Sequence, residues 1–244
     1  MMHRRPAFIA YFTAGDGGMD YSLEAALALE KGGVDLLEIG IPFSDPVADG
    51  PVIQKAMQRS LELGTKPEDV LELIRRIRKK SKIPIVLFSY YNPILQGGKE
   101  FLHKAKEVGA DGILIVDLSI EEQKQELKVL DQIWLVSATT SPERMAKILP
   151  ECRGFVYYAC QKGTTGARRN LPEGFGAKIQ QIKAQTQLPV VAGFGIASRE
   201  SAAEALLYAD GFVVGSLIVD AMGRKVSAEE LTKLAMSVDP RRSL

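Results

Sequence analysis

The chain carries almost no net charge and has no long apolar run. Its 31 lysines and arginines nearly balance 30 aspartates and glutamates, which gives a net charge of +1 at pH 7. That balance provides no electrostatic footprint for nucleic acid or an anionic membrane. No window approaches the roughly 18 uninterrupted apolar residues of a membrane span, and residues 1–6 lack an apolar signal core. We therefore expect a cytoplasmic protein that binds neither nucleic acid nor membrane.

Cysteine is also scarce, and the chain has two, Cys152 and Cys160. Their spacing is not that of a metal site, so we interpret them as reduced thiols, which fits a cytoplasmic protein. No metal site is predicted.

Strand-like and helix-like segments alternate along all 244 residues. This length is close to the roughly 250 residues of one α/β barrel, although two small domains would also fit. Apolar runs predict strands at 7–12, 36–40, 85–89, 112–116, 133–137, 155–158, 189–192 and 211–214. Amphipathic runs predict helices at 21–31, 67–80, 100–108, 121–130, 142–149, 174–186, 199–208 and 228–237.

Strict alternation of this kind predicts an all-parallel sheet, because each crossover helix returns the chain in the same direction. We predict a single (β/α)8 TIM barrel over residues 1–244. An open doubly wound sheet is the alternative, but residues 13–18 are not followed directly by the helix that its glycine fingerprint requires. The two longest connections, 41–66 and 160–174, follow strands and are expected on the catalytic face.

Two acids mark the first of these connections. Glu38 lies in an apolar strand, and Asp49 lies in a loop stiffened by Pro42, Pro46 and Pro51. A buried carboxylate usually has a raised pKa, a partner or a chemical role, so these two are a candidate general acid/base pair. The alternative is that Glu38 is a strand-end acid in water or in an ion pair and that Asp49 only forms a turn.

Glycines follow strands seven and eight. Gly193 and Gly195 come after the seventh strand, and Gly215 and Ser216 come after the eighth, where a short apolar helix begins. Backbone N–H groups and a helix N-terminus at these places can hold a phosphate without lysine or arginine. The segment 163–166 could close over that phosphate as a lid.

Residues 37–51 resemble the signature of the tryptophan synthase α subunits, Glu-(Leu/Ile)-Gly-x-Pro-Phe-Ser-Asp-Pro-x-Ala-Asp-Gly-Pro. The resemblance extends to residues 12–16, 90–93, 163–166, 193–195 and 215–216. It implies retro-aldol cleavage of indole-3-glycerol phosphate to indole and glyceraldehyde 3-phosphate. It also implies an α2β2 complex, with no cofactor in this subunit and pyridoxal phosphate in the β subunit that receives the indole.

The resemblance also implies roles for individual residues. Glu38 would give and accept the proton, Asp49 would stabilise positive charge at the indole nitrogen, and Tyr157 would lie beside Glu38. The other residues would line the indole pocket (Tyr11, Phe88, Tyr90), hold the phosphate (Gly166, Gly193, Gly195, Gly215, Ser216) or contact the β subunit (Pro42, Asp45). The aromatic residues could instead be plain core packing, and Ser216 could simply cap its helix.

The strand-six loop departs from the family pattern, because Gln161 and Lys162 precede its Gly-Thr-Thr-Gly segment. An altered lid raises the alternative of a catalytically weakened α subunit that is kept as an allosteric activator of β. A third hypothesis is another phosphate-binding barrel, such as a sugar-phosphate isomerase or epimerase. Such an enzyme has no use for the loop that carries Asp49.

Overall fold

Eight parallel strands close into a barrel in the order β1 to β8. The computed structural model describes residues 6–159, 171–193 and 195–242. The strands are β1 (Ala7–Thr13), β2 (Leu36–Gly40), β3 (Ile85–Ser89), β4 (Gly112–Ile115), β5 (Asp131–Ser137), β6 (Val156–Ala159), β7 (Val190–Gly193) and β8 (Gly211–Val214). This confirms the predicted (β/α)8 barrel, and each strand lies within two residues of its predicted bounds.

Helices surround the barrel. They are α1 (Met19–Lys31), α2 (Pro51–Glu62), α3 (Pro67–Arg78), α4 (Tyr91–Val108), α5 (Pro142–Ile148), α6 (Phe175–Lys183), α7 (Arg199–Leu206), α8 (Ser216–Gly223) and α9 (Ala228–Val238). No helix among the described residues is long and apolar enough to cross a membrane.

The helix predicted at 121–130 is wrong. The structure has two short 3-10 turns there, Ile120–Glu122 and Gln125–Val129. Between them Gln123 and Lys124 adopt extended ψ values of 130° and 148°, which end the first turn. The Gln123 side chain donates to Gln132 on β5 at 2.6 Å, so it ties the segment to the sheet at the point where a helix would have continued.

Two helical segments lie where the sequence predicted none. Helix α2 occupies part of the long connection 41–66, with Pro51 at its first turn and a buried stripe of Ile53, Ala56 and Met57. Helix α4 begins at Tyr91 and not near residue 100. A break at Gly98, with φ 60°, separates its first part from the predicted part.

The strands alternate between two apolar layers. In β1, Phe8, Ala10 and Phe12 pack in the outer layer under the helices, whereas Ile9 and Tyr11 pack in the inner layer that fills the barrel. In β2, Leu37 and Ile39 belong to the outer layer. Since side chains alternate along a strand, Glu38 points into the barrel.

Aspartates that immediately precede β2, β4 and β8 stabilise the N-terminal face of the barrel. Each carboxylate accepts an N–H at the start of the preceding strand and pairs with a cation. The sets are Asp35 with Phe8 and Arg241, Asp111 with Ile85 and Arg78, and Asp210 with Val190 and Lys183. In barrels of this kind the N-terminal face serves stability, and the loops at the C-terminal face carry the active site.

Candidate active site

Glu38 is the most buried acid of the inner layer. It is fully buried, and it lies level with Tyr11 on β1 and Val86 on β3. Neither carboxyl oxygen has a hydrogen-bond partner among the described residues. Burial raises the pKa of Glu38 to about 8, because an ionised carboxylate is poorly solvated there. Glu38 therefore carries a proton at neutral pH and can donate it.

Asp49 is held by the loop that leads into α2. It is 2% exposed, and the Tyr90 hydroxyl donates to its Oδ2 at 2.7 Å. The Tyr90 oxygen in turn accepts the Ala48 N–H at 3.0 Å, and Gln54 Nε2 donates to the Asp49 carbonyl at 2.8 Å. Burial raises the pKa of Asp49 to about 6, and the Tyr90 hydrogen bond opposes that rise. Asp49 is thus mostly ionised at neutral pH.

The two acids therefore differ in protonation because their surroundings differ. Glu38 has only apolar burial, whereas Asp49 has a hydroxyl donor on its carboxylate. Acid and base roles are assigned by finding titratable groups whose environments separate their pKa values. The structure provides such a pair at one end of the barrel.

Tyr11 lies between these acids and β8. Its ring meets Phe88 edge-on, with ring centroids 5.0 Å apart, and its hydroxyl lies 3.3 Å from Thr13 Oγ1. A β-carbon on Gly40 would come within 2.4 Å of that hydroxyl, so glycine is required there. Burial, followed by the charge of Asp49, raises the pKa of Tyr11 well above 10, and Glu38 contributes in the same direction.

Tyr157 lies on β6 and belongs to the inner layer. Its hydroxyl approaches Gly193 so closely that a β-carbon there would be 2.1 Å away. Gly193 therefore makes room for Tyr157, whatever it contributes to a phosphate site. Strand β6 faces β2 across the barrel, and the prediction that Tyr157 lies beside Glu38 stays a prediction.

Of the glycines predicted to hold phosphate, Gly193, Gly195 and Gly215 are described, and they lie at or just after the carboxyl ends of β7 and β8. Gly195 has φ +82°, and Gly215 is the residue before the first turn of α8. The interpretation of Ser216 as a cap is wrong, because Gly215 occupies the cap position and Ser216 is the first helical residue. Gly166 and the lid segment 163–166 lie outside the described residues, as does Phe194.

The two residues predicted to contact a partner differ in exposure. Asp45 is exposed, whereas Pro42 is buried beneath the loop. Between this loop and α2 runs a surface groove of about 730 Å³, lined by residues that include Phe43, Asp45, Val47, Gln54 and Leu61.

Sequence reasoning missed the contacts that hold α2 in place. Arg59 donates to both carboxyl oxygens of Asp16 at 2.7 Å, and Asp16 is 2% exposed. Ser60 Oγ donates to the Ala14 carbonyl at 2.6 Å. Asp16 lies in the 12–16 segment that carried part of the family resemblance, but nothing in the sequence pointed to Arg59 as its partner.

A closed barrel with two buried acids near the carboxyl ends of its strands is typical of an enzyme of acid–base type. No group of three or more His, Cys, Asp or Glu residues in the described part of the chain could hold a metal ion. Over residues 1–242 the sequence matches the family of the tryptophan synthase alpha chain. The chain belongs to this family.

Individual relatives agree with that assignment. The tryptophan synthase alpha chain of Coxiella burnetii (strain CbuK_Q154) is 52% identical over 242 residues, which cover 97% of this chain and 94% of the relative. The structure of tryptophan synthase subunit alpha from Legionella pneumophila str. Paris has a TM-score of 0.86 at 39% identity, covering 96% of this chain and 92% of that one. A chain of the tryptophan synthase complex from Pyrococcus furiosus has a TM-score of 0.87 at 34% identity, covering 97% and 99%.

Proposed function

We propose that this chain is the α subunit of a tryptophan synthase and cleaves indole-3-glycerol phosphate to indole and glyceraldehyde 3-phosphate. The observation that carries the proposal is the pair of buried acids, with the pKa of Glu38 at about 8 and that of Asp49 at about 6. One is protonated and the other ionised at neutral pH, which this reaction requires.

Glu38 carries the proton through both steps. In the first step its carboxyl group protonates C3 of the indole ring. The resulting carboxylate then takes the proton from the hydroxyl on the neighbouring chain carbon. The bond between that carbon and C3 breaks, its electron pair returns to the ring, and the chain carbon becomes the aldehyde. Glu38 ends protonated, ready for another cycle.

Asp49 stabilises the charge that this protonation creates. Once C3 is protonated, positive charge develops at the ring nitrogen, and a fixed carboxylate near that N–H lowers the barrier. The hydrogen bond from Tyr90 and the bond from Gln54 to the Asp49 carbonyl fix both the side chain and the backbone of this residue. Such preorganisation is what makes a charged group effective in a transition state.

The substrate's other groups find chemically matching surroundings. Tyr11, Phe88 and Tyr90 offer an apolar, aromatic lining for the indole ring, with Tyr157 opposite. Backbone N–H groups near Gly195, Gly215 and Ser216 suit the phosphate. The reaction needs no metal or organic cofactor in this subunit, and we expect none.

A β subunit that uses pyridoxal phosphate is the expected partner, in an α2β2 complex within the cytoplasm. The groove beside Asp45 is the surface we assign to it, because Val47 is 76% and Leu61 37% exposed there. This groove adjoins the loop that holds Asp49, so a partner bound here could alter the position of that acid. Pro42 would act through the fold of the loop and not by direct contact.

Indole formation tests the proposal. The purified chain, with and without its cognate β subunit, should release indole from indole-3-glycerol phosphate, and β should increase the rate. Glu38→Gln should abolish turnover while sparing folding and β binding. A complex that releases no indole although the chain still activates β on added indole would overturn the lyase assignment.

A further inference from the structure

We propose that the Tyr11 hydroxyl donates a hydrogen bond to a hydroxyl of the substrate's glycerol chain. The inference rests on the function proposed above and assigns to Tyr11 a second role, distinct from packing of its ring against indole. It has three separate grounds, which are the position of β1, the surroundings of the Tyr11 hydroxyl and the chemistry of the substrate.

The position of β1 places Tyr11 under the middle of the substrate. Strand β1 lies between β8 and β2 in the closed barrel. On one side, a β-carbon on Gly215 would lie 3.7 Å from the Tyr11 ring. On the other side, the Tyr11 hydroxyl lies against Gly40, two residues beyond Glu38 on β2. A molecule that reaches from a phosphate at Gly215 to a reacting carbon at Glu38 therefore crosses Tyr11.

The surroundings fix the hydroxyl and keep it protonated. Phe88 packs edge-on against the ring, so the ring cannot turn away without losing that contact. The Tyr11 hydroxyl hydrogen-bonds Thr13 Oγ1 at 3.3 Å. Thr13 is 1% exposed. Either oxygen of this pair can be the donor. When Thr13 donates, the tyrosine proton is available to a ligand, and burial favours the protonated hydroxyl by raising its pKa.

The chemistry of the substrate identifies the acceptor. The indole N–H is itself a donor, and the phosphate is assigned above to backbone N–H groups near Gly215. The chain between them carries hydroxyl groups, which can accept a hydrogen bond. Because the Tyr11 side chain extends from Gly215 on one side to Gly40 on the other, we expect its hydroxyl beside this part of the substrate, where it should favour a hydroxylated chain over a plain alkyl one.

The experiment compares Tyr11→Phe with the unchanged chain on two ligands. One is indole-3-glycerol phosphate, followed by kcat/KM for indole release. The other is indole-3-propanol phosphate, which lacks the chain hydroxyls, followed by its inhibition constant in the same assay. Tyr21→Phe is the matched control, because the Tyr21 hydroxyl bonds the Val226 carbonyl at 2.8 Å, away from both acids.

We expect Tyr11→Phe to lower kcat/KM for the substrate about three- to tenfold, the effect of one neutral hydrogen bond. Its inhibition constant for the propanol analogue should change less than about twofold, because the ring and its packing remain. Tyr21→Phe should change neither quantity. The contrast between the two ligands is the readout that a purely structural role would not produce.

Two results overturn the inference while leaving the proposed function intact. One is an unchanged kcat/KM in Tyr11→Phe, and the other is an equal loss for substrate and analogue. Either result would mean that the Tyr11 hydroxyl makes no specific contact with the glycerol chain of the substrate. If the unchanged protein neither cleaves the substrate nor binds the analogue, the proposed function fails and this inference fails with it.

Discussion

Replacing Glu38 by glutamine should make the protein more stable at neutral pH while removing its activity. In the unfolded chain this carboxyl titrates near its ordinary value of 4.5, whereas in the folded barrel its pKa is about 8. Between these values the unfolded state has lost a proton that the native state keeps, so stability falls as pH rises. Each pH unit above 4.5 removes about 1.4 kcal/mol. The loss at pH 7 is on the order of 3 kcal/mol.

Urea unfolding at several pH values measures this effect. Glu38→Gln is neutral at every pH, so its advantage over the unchanged chain should be near zero at pH 4. It should grow to about 3 kcal/mol at pH 7 and level off above pH 8. Glu62→Gln, at an exposed position of α2, is the matched control for replacing a carboxyl group by an amide. A difference between Glu38→Gln and the unchanged chain that does not vary with pH would refute the reasoning.

The remaining predictions concern pH, the tyrosine on Asp49 and the N-terminal face of the barrel. The kcat/KM for indole release should fall below about pH 6, as Asp49 becomes protonated, and above about pH 8, as Glu38 ionises; a flat profile across this range would contradict both assignments. Tyr90→Phe removes the hydrogen bond that lowers the pKa of Asp49, so the acid limb of that profile should move up by about one pH unit. An unmoved limb would mean that Tyr90 does not control Asp49. Asp111→Ala removes the acceptor of the Ile85 N–H and should lower the free energy of unfolding, measured by urea titration, by about 1–3 kcal/mol. A loss under about 0.5 kcal/mol would contradict this, because it is the size of an ordinary surface change.

The strands could be predicted because each is an apolar run bounded by turn residues. Glu38 stood out for the same reason, as a charged residue inside such a run. Helix α2 was missed because Pro51 was interpreted as stiffening a loop, whereas proline is equally suited to the first turn of a helix. In the segment 121–130 the opposite error occurred, because a helix was predicted and the structure has none. Its helical pattern is interrupted by a side-chain contact from Gln123 to Gln132, which no local pattern reveals.

The site residues could be chosen from the sequence, but several of their contacts could not. Tyr90 was expected to line an indole pocket, yet its hydroxyl bonds Asp49, 41 residues earlier in the chain. Gly193 was expected to face a phosphate, and it also leaves space for the Tyr157 hydroxyl. Pro42 was expected at an interface and is buried. These outcomes depend on which residues the closed barrel brings together, and that arrangement is fixed by packing over long sequence distances.

Indole release from indole-3-glycerol phosphate by the unchanged chain, Glu38→Gln and Glu107→Gln, each with the cognate β subunit, tests the central claim most directly. Glu107 is exposed on α4, away from the groove assigned to β. We predict that the unchanged chain and Glu107→Gln turn over alike, and that Glu38→Gln, although folded and bound to β, releases no indole. Turnover by Glu38→Gln at the rate of the unchanged chain would contradict the account, because the buried acid would then not carry the proton.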